Sequence, residues 1–329
     1  ESRPGTPDEG ERDLGRAREL FGRVLELDAP ATVREEALFA RATCSVGLGQ
    51  SDQAAGDWRA YLALEDAPRA DEARVRLGRA LLAGGKARPA RQQFEDALAA
   101  LAETDASLPW RAAARLGIAE AWRAENQPSL AGAAFERFLE AHPGHEQAQA
   151  ARFARAALLR DAGEGDAALT AFRAVLDAPA PADLPEERRE EVLAEDERLR
   201  QEALFQLARV LTSQDEHDRA RDTYAEYTRR HPTGTRWTEA QQGIVDSAFA
   251  RGESARERED FPAAREAYRA FLTEWPLDGR VRETELRLAQ LWMDEAAIAA
   301  EDGTADADAL RILRERAVEE WRRIARRYP

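Results

Sequence analysis

Four stretches of this 329-residue chain place side chains where they could do chemistry. His142-Pro143-Gly144-His145 sets two imidazoles three positions apart, as a metal pair would. Yet His142 is the residue directly before a proline, as are Trp275 and Tyr328, and neither of those replaces an imidazole as a ligand, so packing is the expected role. His217 and His231 lack a Cys or Ser at recognisable spacing, and no Gly-x-Ser-x-Gly or His-Glu-x-x-His run occurs. Gly84-Gly85-Lys86 looks like the end of a phosphate loop. That loop needs glycine five positions before Gly85, where Ala80 stands, and Ser or Thr after the lysine, where Ala87 stands. Asp302-Gly303-Thr304-Ala305-Asp306-Ala307-Asp308 alternates oxygens like a calcium loop but lacks the sixth-place glycine and the closing glutamate. A helix stop at Gly303 followed by a cap at Asp306 or Asp308 is expected instead. The run Glu186 to Glu191 and on through Arg198 mixes both signs, the mark of a solvated helix face.

No catalytic residue, metal site or cofactor site is therefore expected. An enzyme would need a pocket among Asp183 to Glu197 or Asp302 to Asp308. Acidic residues number 63 against 48 basic ones, a net charge of -15, so a polyphosphate backbone is repelled and nucleic acid is not an expected partner. Cys44 is the single cysteine, which forbids an internal disulfide and leaves the redox compartment open. No apolar stretch approaches the roughly 20 residues that cross a bilayer, so no direct membrane insertion is expected. Residues 1–10 read as a flexible polar tail.

The elements that position these residues are read from a recurring spacing. An alanine, an aromatic four residues later and a proline twelve residues after the alanine occur at Ala131/Phe135/Pro143, Ala220/Tyr224/Pro232, Ala264/Tyr268/Pro276 and Ala317/Trp321/Pro329. Looser copies stand at Ala17/Phe21, Ala54/Trp58, Ala90/Phe94 and Ala168/Phe172. Positions i and i+4 share a helix face, so the alanine lets two backbones approach while the ring fills the gap beside it. Proline then ends the helix, and the ring before it (His142, His231, Trp275 or Tyr328) closes the seam.

Upstream of these lie Leu77-Gly78 with Leu81, Ile118-Ala119 with Trp122, and Leu207-Ala208 with Leu211, the marks of a partner helix. The partners are joined by short turns at Gly47-Leu48-Gly49, Gly84-Gly85, Glu125 to Pro128, Gly163-Glu164-Gly165 and Gln214-Asp215-Glu216. The alanine anchors lie 37, 36, 41, 37, 52, 44 and 53 residues apart, so three intervals carry inserts. Pro185 through Ser213 reads as one extended helix on the order of 40 Å long, and overlong helices are also expected from Thr238 to Glu257 and from Val281 to Ala300.

This pattern resembles the tetratricopeptide repeat family, which sets Leu-Gly and an aromatic on the first helix of a pair and Ala, Phe and Pro on the second. The resemblance runs from about residue 11 to 329. Ala131-Phe135-Phe138-Leu139-Pro143 and Ala264-Tyr268-Phe271-Leu272-Pro276 are closest to the variety found in bacterial cell-envelope proteins. It implies an all-α, right-handed α-solenoid of about eight antiparallel helix pairs, forming a single superhelical array over 11–329, some with elongated helices. It also implies a noncatalytic scaffold that holds a peptide or protein partner on its concave face, in the periplasm or envelope rather than the cytoplasm. Counting back from the anchors, the inward positions are Val75, Arg79, Leu116, Glu120, Phe153, Phe205 and Arg209, with Arg79 and Arg209 able to take a carboxylate by two parallel hydrogen bonds. The asparagines and lysines of the family's carboxylate clamp are absent there. An array that opens at Ala17 without a full first helix and stops at Pro329 reads as a fragment of a larger protein. The alternative is a structural spacer of a multidomain envelope protein, macroglobulin-like or an assembly lipoprotein, with no ligand of its own.

Overall fold

In the computed structural model, residues 9–65, 67–102, 104, 107–181, 184 and 186–328 are described. They form an all-α array of antiparallel helix pairs with no strand among the described residues. Residues 1–8, Pro185 and Pro329 lie outside the described set, while Glu9 and Gly10, expected in the tail, open the first helix.

Every predicted pair of anchor alanine and anchor ring falls on one of eight second helices. These are α1 (Glu9–Glu26), α3 (Ser51–Leu62), α5 (Ala87–Ala100), α7 (Pro128–Ala141), α9 (Gly165–Asp177), α11 (His217–Arg230), α13 (Phe261–Glu274) and α15 (Ala307–Arg327). Between them run the first helices of the pairs: α2 (Ala31–Gly47), α4 (Ala70–Ala83), α6 (Leu108–Ala124), α8 (Ala148–Asp161), α10 (Glu186–Ser213), α12 (Trp237–Glu257) and α14 (Val281–Glu301). The α4 and α8 helices have 14 residues each, α10 has 28, and α12 and α14 have 21. The three overlong helices read from the spacing are thus α10, α12 and α14. Asp306 is the cap that follows Gly303, its carboxylate accepting from the Ala309 N–H at 2.8 Å.

Each first helix is stopped in the same way. Gly49, Gly85, Asn126, Gly163, Asp215, Glu259 and Gly303 all adopt positive φ, between 56° and 75°. At six of the seven the next residue's N–H reaches back to the helix, as from Lys86 to Leu81 O (2.8 Å), Gln127 to Trp122 O (3.0 Å) and Asp260 to Ala255 O (2.9 Å), which satisfies a last carbonyl while the chain reverses. Four of the seven are glycine, which adopts this conformation freely; Glu259 does so at a cost. Glu259→Gly is expected to stabilise the protein by about 1 kcal/mol, read as a higher denaturant midpoint; an unchanged or lower midpoint contradicts the strain.

At the other end the prolines stop the second helices. His142, His231, Trp275 and Tyr328 cap their helices with ψ of 57°, 67°, 62° and 76°, outside the helical well that the following proline disfavours. Three of these rings lie against a ring four residues earlier: Phe138–His142 at 5.7 Å, Tyr227–His231 at 5.4 Å and Phe271–Trp275 at 5.5 Å. Pro143, Pro232 and Pro276 follow the ends of α7, α11 and α13 and are exposed, whereas Ala131, Ala220 and Ala264 and the rings Phe135, Tyr224 and Tyr268 are buried. A proline acts here on the backbone, by denying the residue before it a helical ψ, and that restriction needs no buried surface. The ring before each proline therefore closes the seam, and the proline remains in solvent.

Contacts divide the helices into two compact units, one drawn from Glu1–Ala162 and Pro179–Val192, the other from Gly163–Ala178 and Leu193–Pro329. In the first, α1 to α8 pack successively on one another, and α4 also touches α6. Its core is built on Trp58, Tyr61, Phe94, Phe135 and Phe138, all fully buried. Phe94 lies in a slot between two glycines: a Cβ on Gly78 would come within 2.6 Å of the ring, and one on Gly117 within 2.4 Å. The second unit repeats the device, with Tyr224 against Gly243 and Tyr268 against Gly252. The anchor Trp321 departs from expectation, being 38% exposed. It sits on α15, the last described helix, where no following helix covers it, whereas a following first helix covers Phe94 and Tyr224.

Candidate functional site

The first unit holds a groove of about 510 Å³ on the side formed by its first helices. Arg79 and Leu82 of α4 line one wall, and Leu116 and Glu120 of α6 the other. Glu146, in the loop after α7, and Arg188, in the first turn of α10, close one end. Arg188 Nη1 donates to both oxygens of Glu146, at 2.8 and 2.7 Å.

Helical register explains the walls. Arg79 stands six residues before the left-handed Gly85 and Glu120 six before the left-handed Asn126, so the two are equivalent positions of successive first helices. The small residues one position earlier, Gly78 and Ala119, are buried against the second helices, which turns 79 and 120 away from the core. In the second unit Arg209 and Glu253 hold the same register before Asp215 and Glu259. Glu253 there is engaged by Tyr268, Arg256 and Arg287.

Arg79 and Glu120 make no hydrogen bond or ion pair among the described residues, with each other or with a neighbour. Arg79 is exposed and Glu120 half-buried. Desolvation lowers the Arg79 pKa from its ordinary value, against the attraction of Glu120. It raises that of Glu120, against Arg123 and Arg79. Arginine still stays protonated at any ordinary pH. Beside them, desolvation also depresses His145, with Arg79 and Arg188 adding to it and Glu146 opposing; its Nδ1 accepts from the Gln147 N–H at 3.1 Å. His142 is buried in the helix seam, where desolvation first and Arg115 next lower its pKa to about 4. Its Nε2 lies 3.0 Å from Arg115 Nη1, which can only donate, so the imidazole is neutral with its proton on Nδ1. The pair His142/His145 is thus occupied by packing and by backbone and guanidinium partners.

The remaining inward positions divide. Arg209 is exposed and forms no ion pair among the described residues, and Phe153 is half-buried. Val75 (0% exposed) and Phe205 (4%) are corrected: both lie in the helix core and offer nothing to a partner. Phe205 packs edge-on to Tyr224 and Tyr227, at 5.7 and 5.8 Å, so the face counted as inward is covered by its own second helix. Leu116 is buried and adds only an apolar edge to the α6 wall of the groove.

Sequence reasoning missed two arrangements. One is the Arg188–Glu146 closure, whose partners lie 42 residues apart. The other is a clamp in which Arg91 lies flat on Trp122 (3.8 Å) and binds Glu125 (2.8 Å) and Glu95 (2.9 Å). It recurs with Arg265 on Trp292 (3.9 Å) and Glu295. The signal was available: arginine directly after an anchor alanine, and Trp-x-x-Glu on the next first helix.

Comparison with known proteins agrees with this architecture. The tetratricopeptide repeat family profile matches residues 202–234, which run from the middle of α10 through α11 to the loop beyond. No curated protein matches the sequence. Among solved structures, the C-terminal part of a tetratricopeptide repeat-containing protein from Cytophaga hutchinsonii superposes with a TM-score of 0.53 at 16% identity, over 83% of this chain and 94% of that one. The apo form of RapI gives 0.48 at 12% identity, over 89% and 99%. YrrB, a tetratricopeptide protein described as having an unusual peptide-binding site, gives 0.45 at 18% identity, over 68% and 99%. The profile marks one tetratricopeptide repeat at residues 202–234, and the Cytophaga structure shows a helical-repeat fold.

Proposed function

We propose that this chain is a noncatalytic scaffold that holds a peptide or protein partner against the face of its first helices, with the groove between α4 and α6 as a principal contact. The observation that carries this reading is the unengaged pair Arg79 and Glu120 on an otherwise apolar groove wall. The half-buried Glu120 would ordinarily find a partner within the fold, and with the exposed Arg79 on the facing wall it offers a ligand two charges beside apolar surface. Short turns and interlocked rings hold the first helices rigid, which keeps the entropic cost of binding low.

Site-specific photo-crosslinking tests the proposal. With a benzophenone amino acid in place of Ala83 at the groove rim, and separately in place of exposed Arg137 on α7, irradiation in the source cells is expected to yield a discrete adduct from 83 and none from 137. The adduct partner, purified, should bind the unmodified protein. Adducts from neither position, or equally from both, speak against the groove.

A further inference from the structure

The chemistry of the groove narrows what can occupy it, and the argument rests on the scaffold reading above. Charged groups around it are mostly satisfied within the fold: Arg188 by Glu146 at 2.7 Å, Arg76 by Glu72 at 2.7 Å, and Arg91 by two glutamates. Arg79 and Glu120 are not, although they stand in one register on neighbouring helices and face one concavity. They carry opposite signs yet stay beyond ion-pair distance of each other. Leu82 and Leu116 line the same groove and offer no competing hydrogen bond.

A ligand of one sign fits this poorly. An acidic segment that satisfied Arg79 would bring its other carboxylates toward Glu120, and a basic one would repel Arg79. Such like-charge approaches are disfavoured across an interface. We infer that the groove takes an extended peptide segment bearing one acidic and one basic side chain, the acidic one bound by Arg79 and the basic one by Glu120, with an apolar residue over Leu82 and Leu116. Neighbouring helices pack about 8–10 Å apart and an extended chain advances about 3.3–3.6 Å per residue, so the two charged side chains stand roughly two to four residues apart. The order acid-then-base or base-then-acid follows from the direction in which the segment crosses from α4 to α6.

The test is selection of random heptapeptides displayed on phage against the intact protein, the double charge swap Arg79→Glu with Glu120→Arg, and a filled groove, Ala83→Trp. Circular dichroism checks that each variant is folded. The wild type is expected to enrich peptides with one acid and one base at a fixed spacing of two to four residues, in one order. The swap should enrich the reverse order, and a synthetic wild-type-selected peptide should bind the swap at least tenfold more weakly. The filled groove should enrich neither. Peptides that need the open groove but show no charge pattern, or the same pattern in wild type and swap, overturn the inference and leave the scaffold reading standing. No groove-dependent peptide at all overturns both.

Discussion

Replacing Phe94 by alanine is expected to cost about 3–5 kcal/mol, the range for emptying a large buried aromatic site, and to be the most damaging single truncation in the first unit. The ring is fully buried, and both faces meet backbone without an intervening side chain, at Gly78 of α4 and Gly117 of α6. The cavity would open where three helices meet, and none can collapse into it without dragging its partners. The converse change is informative at the same place. Gly117→Ala puts a methyl 2.4 Å from the ring, and overpacking of this kind costs about 1–3 kcal/mol, partly offset by the roughly 1 kcal/mol that alanine gains over glycine in a helix. In a Phe94→Leu background the clash is gone and only the helix gain remains. Chemical denaturation of the four proteins of this cycle should give a coupling of at least about 1 kcal/mol between the sites. Additivity within about 0.5 kcal/mol would show that the ring is not held by the glycines.

The second large effect is expected from one oxygen atom. Tyr227 is fully buried, and its hydroxyl accepts from the Arg236 backbone N–H (3.1 Å) and the Gln201 amide (3.0 Å), tying the loop after α11 to α10 and to the start of α12. Tyr61, three residues after its anchor ring as Tyr227 is after Tyr224, does the same for the Arg69 N–H at 3.1 Å and reaches Glu35 at 3.1 Å. Tyr227→Phe keeps the ring and strands two donors, a loss of about 1–3 kcal/mol. A Cβ at Gly234 would come within 2.7 Å of the same oxygen, so the loop is too tight to supply a substitute easily. Amide exchange at Arg236 should accelerate together with the fall in denaturation midpoint. A fall below about 0.5 kcal/mol with unchanged exchange would place the oxygen outside the loop's hydrogen-bond network.

The repeat was legible because its signals are local. An alanine and a ring on one helix face, a proline after the helix and a glycine or asparagine in the tight turn all act within a dozen residues. They placed all eight second helices and the ends of α10, α12 and α14 to within a residue or two. What escaped is what depends on neighbours. Counting by register put Val75 and Phe205 on the same face as Arg79 and Arg209, but whether a side chain at such a position is open or covered depends on the ring packed beside it, as Tyr224 and Tyr227 cover Phe205. Trp321 matched its anchor pattern perfectly and is still exposed, since burial of an anchor requires a helix that the pattern itself does not encode. The solitude of Arg79 and Glu120 was invisible for the same reason, in a sequence where acids and bases stand almost everywhere.

The lengths of the first helices bear on how such a chain can grow. From the 14 residues of α4 and α8, the first helices lengthen to 17 in α2 and α6, to 21 in α12 and α14 and to 28 in α10. Seven residues fall only about 20° short of two full turns. Material added seven residues at a time, as between α4 and α12 or α12 and α10, advances a helix along its axis while returning its apolar stripe to nearly the same bearing. The three extra residues of α2 and α6 fall about 60° short of one turn and rotate the end of the stripe further, so it is the seven-residue steps that extend a wall without redrafting its joints.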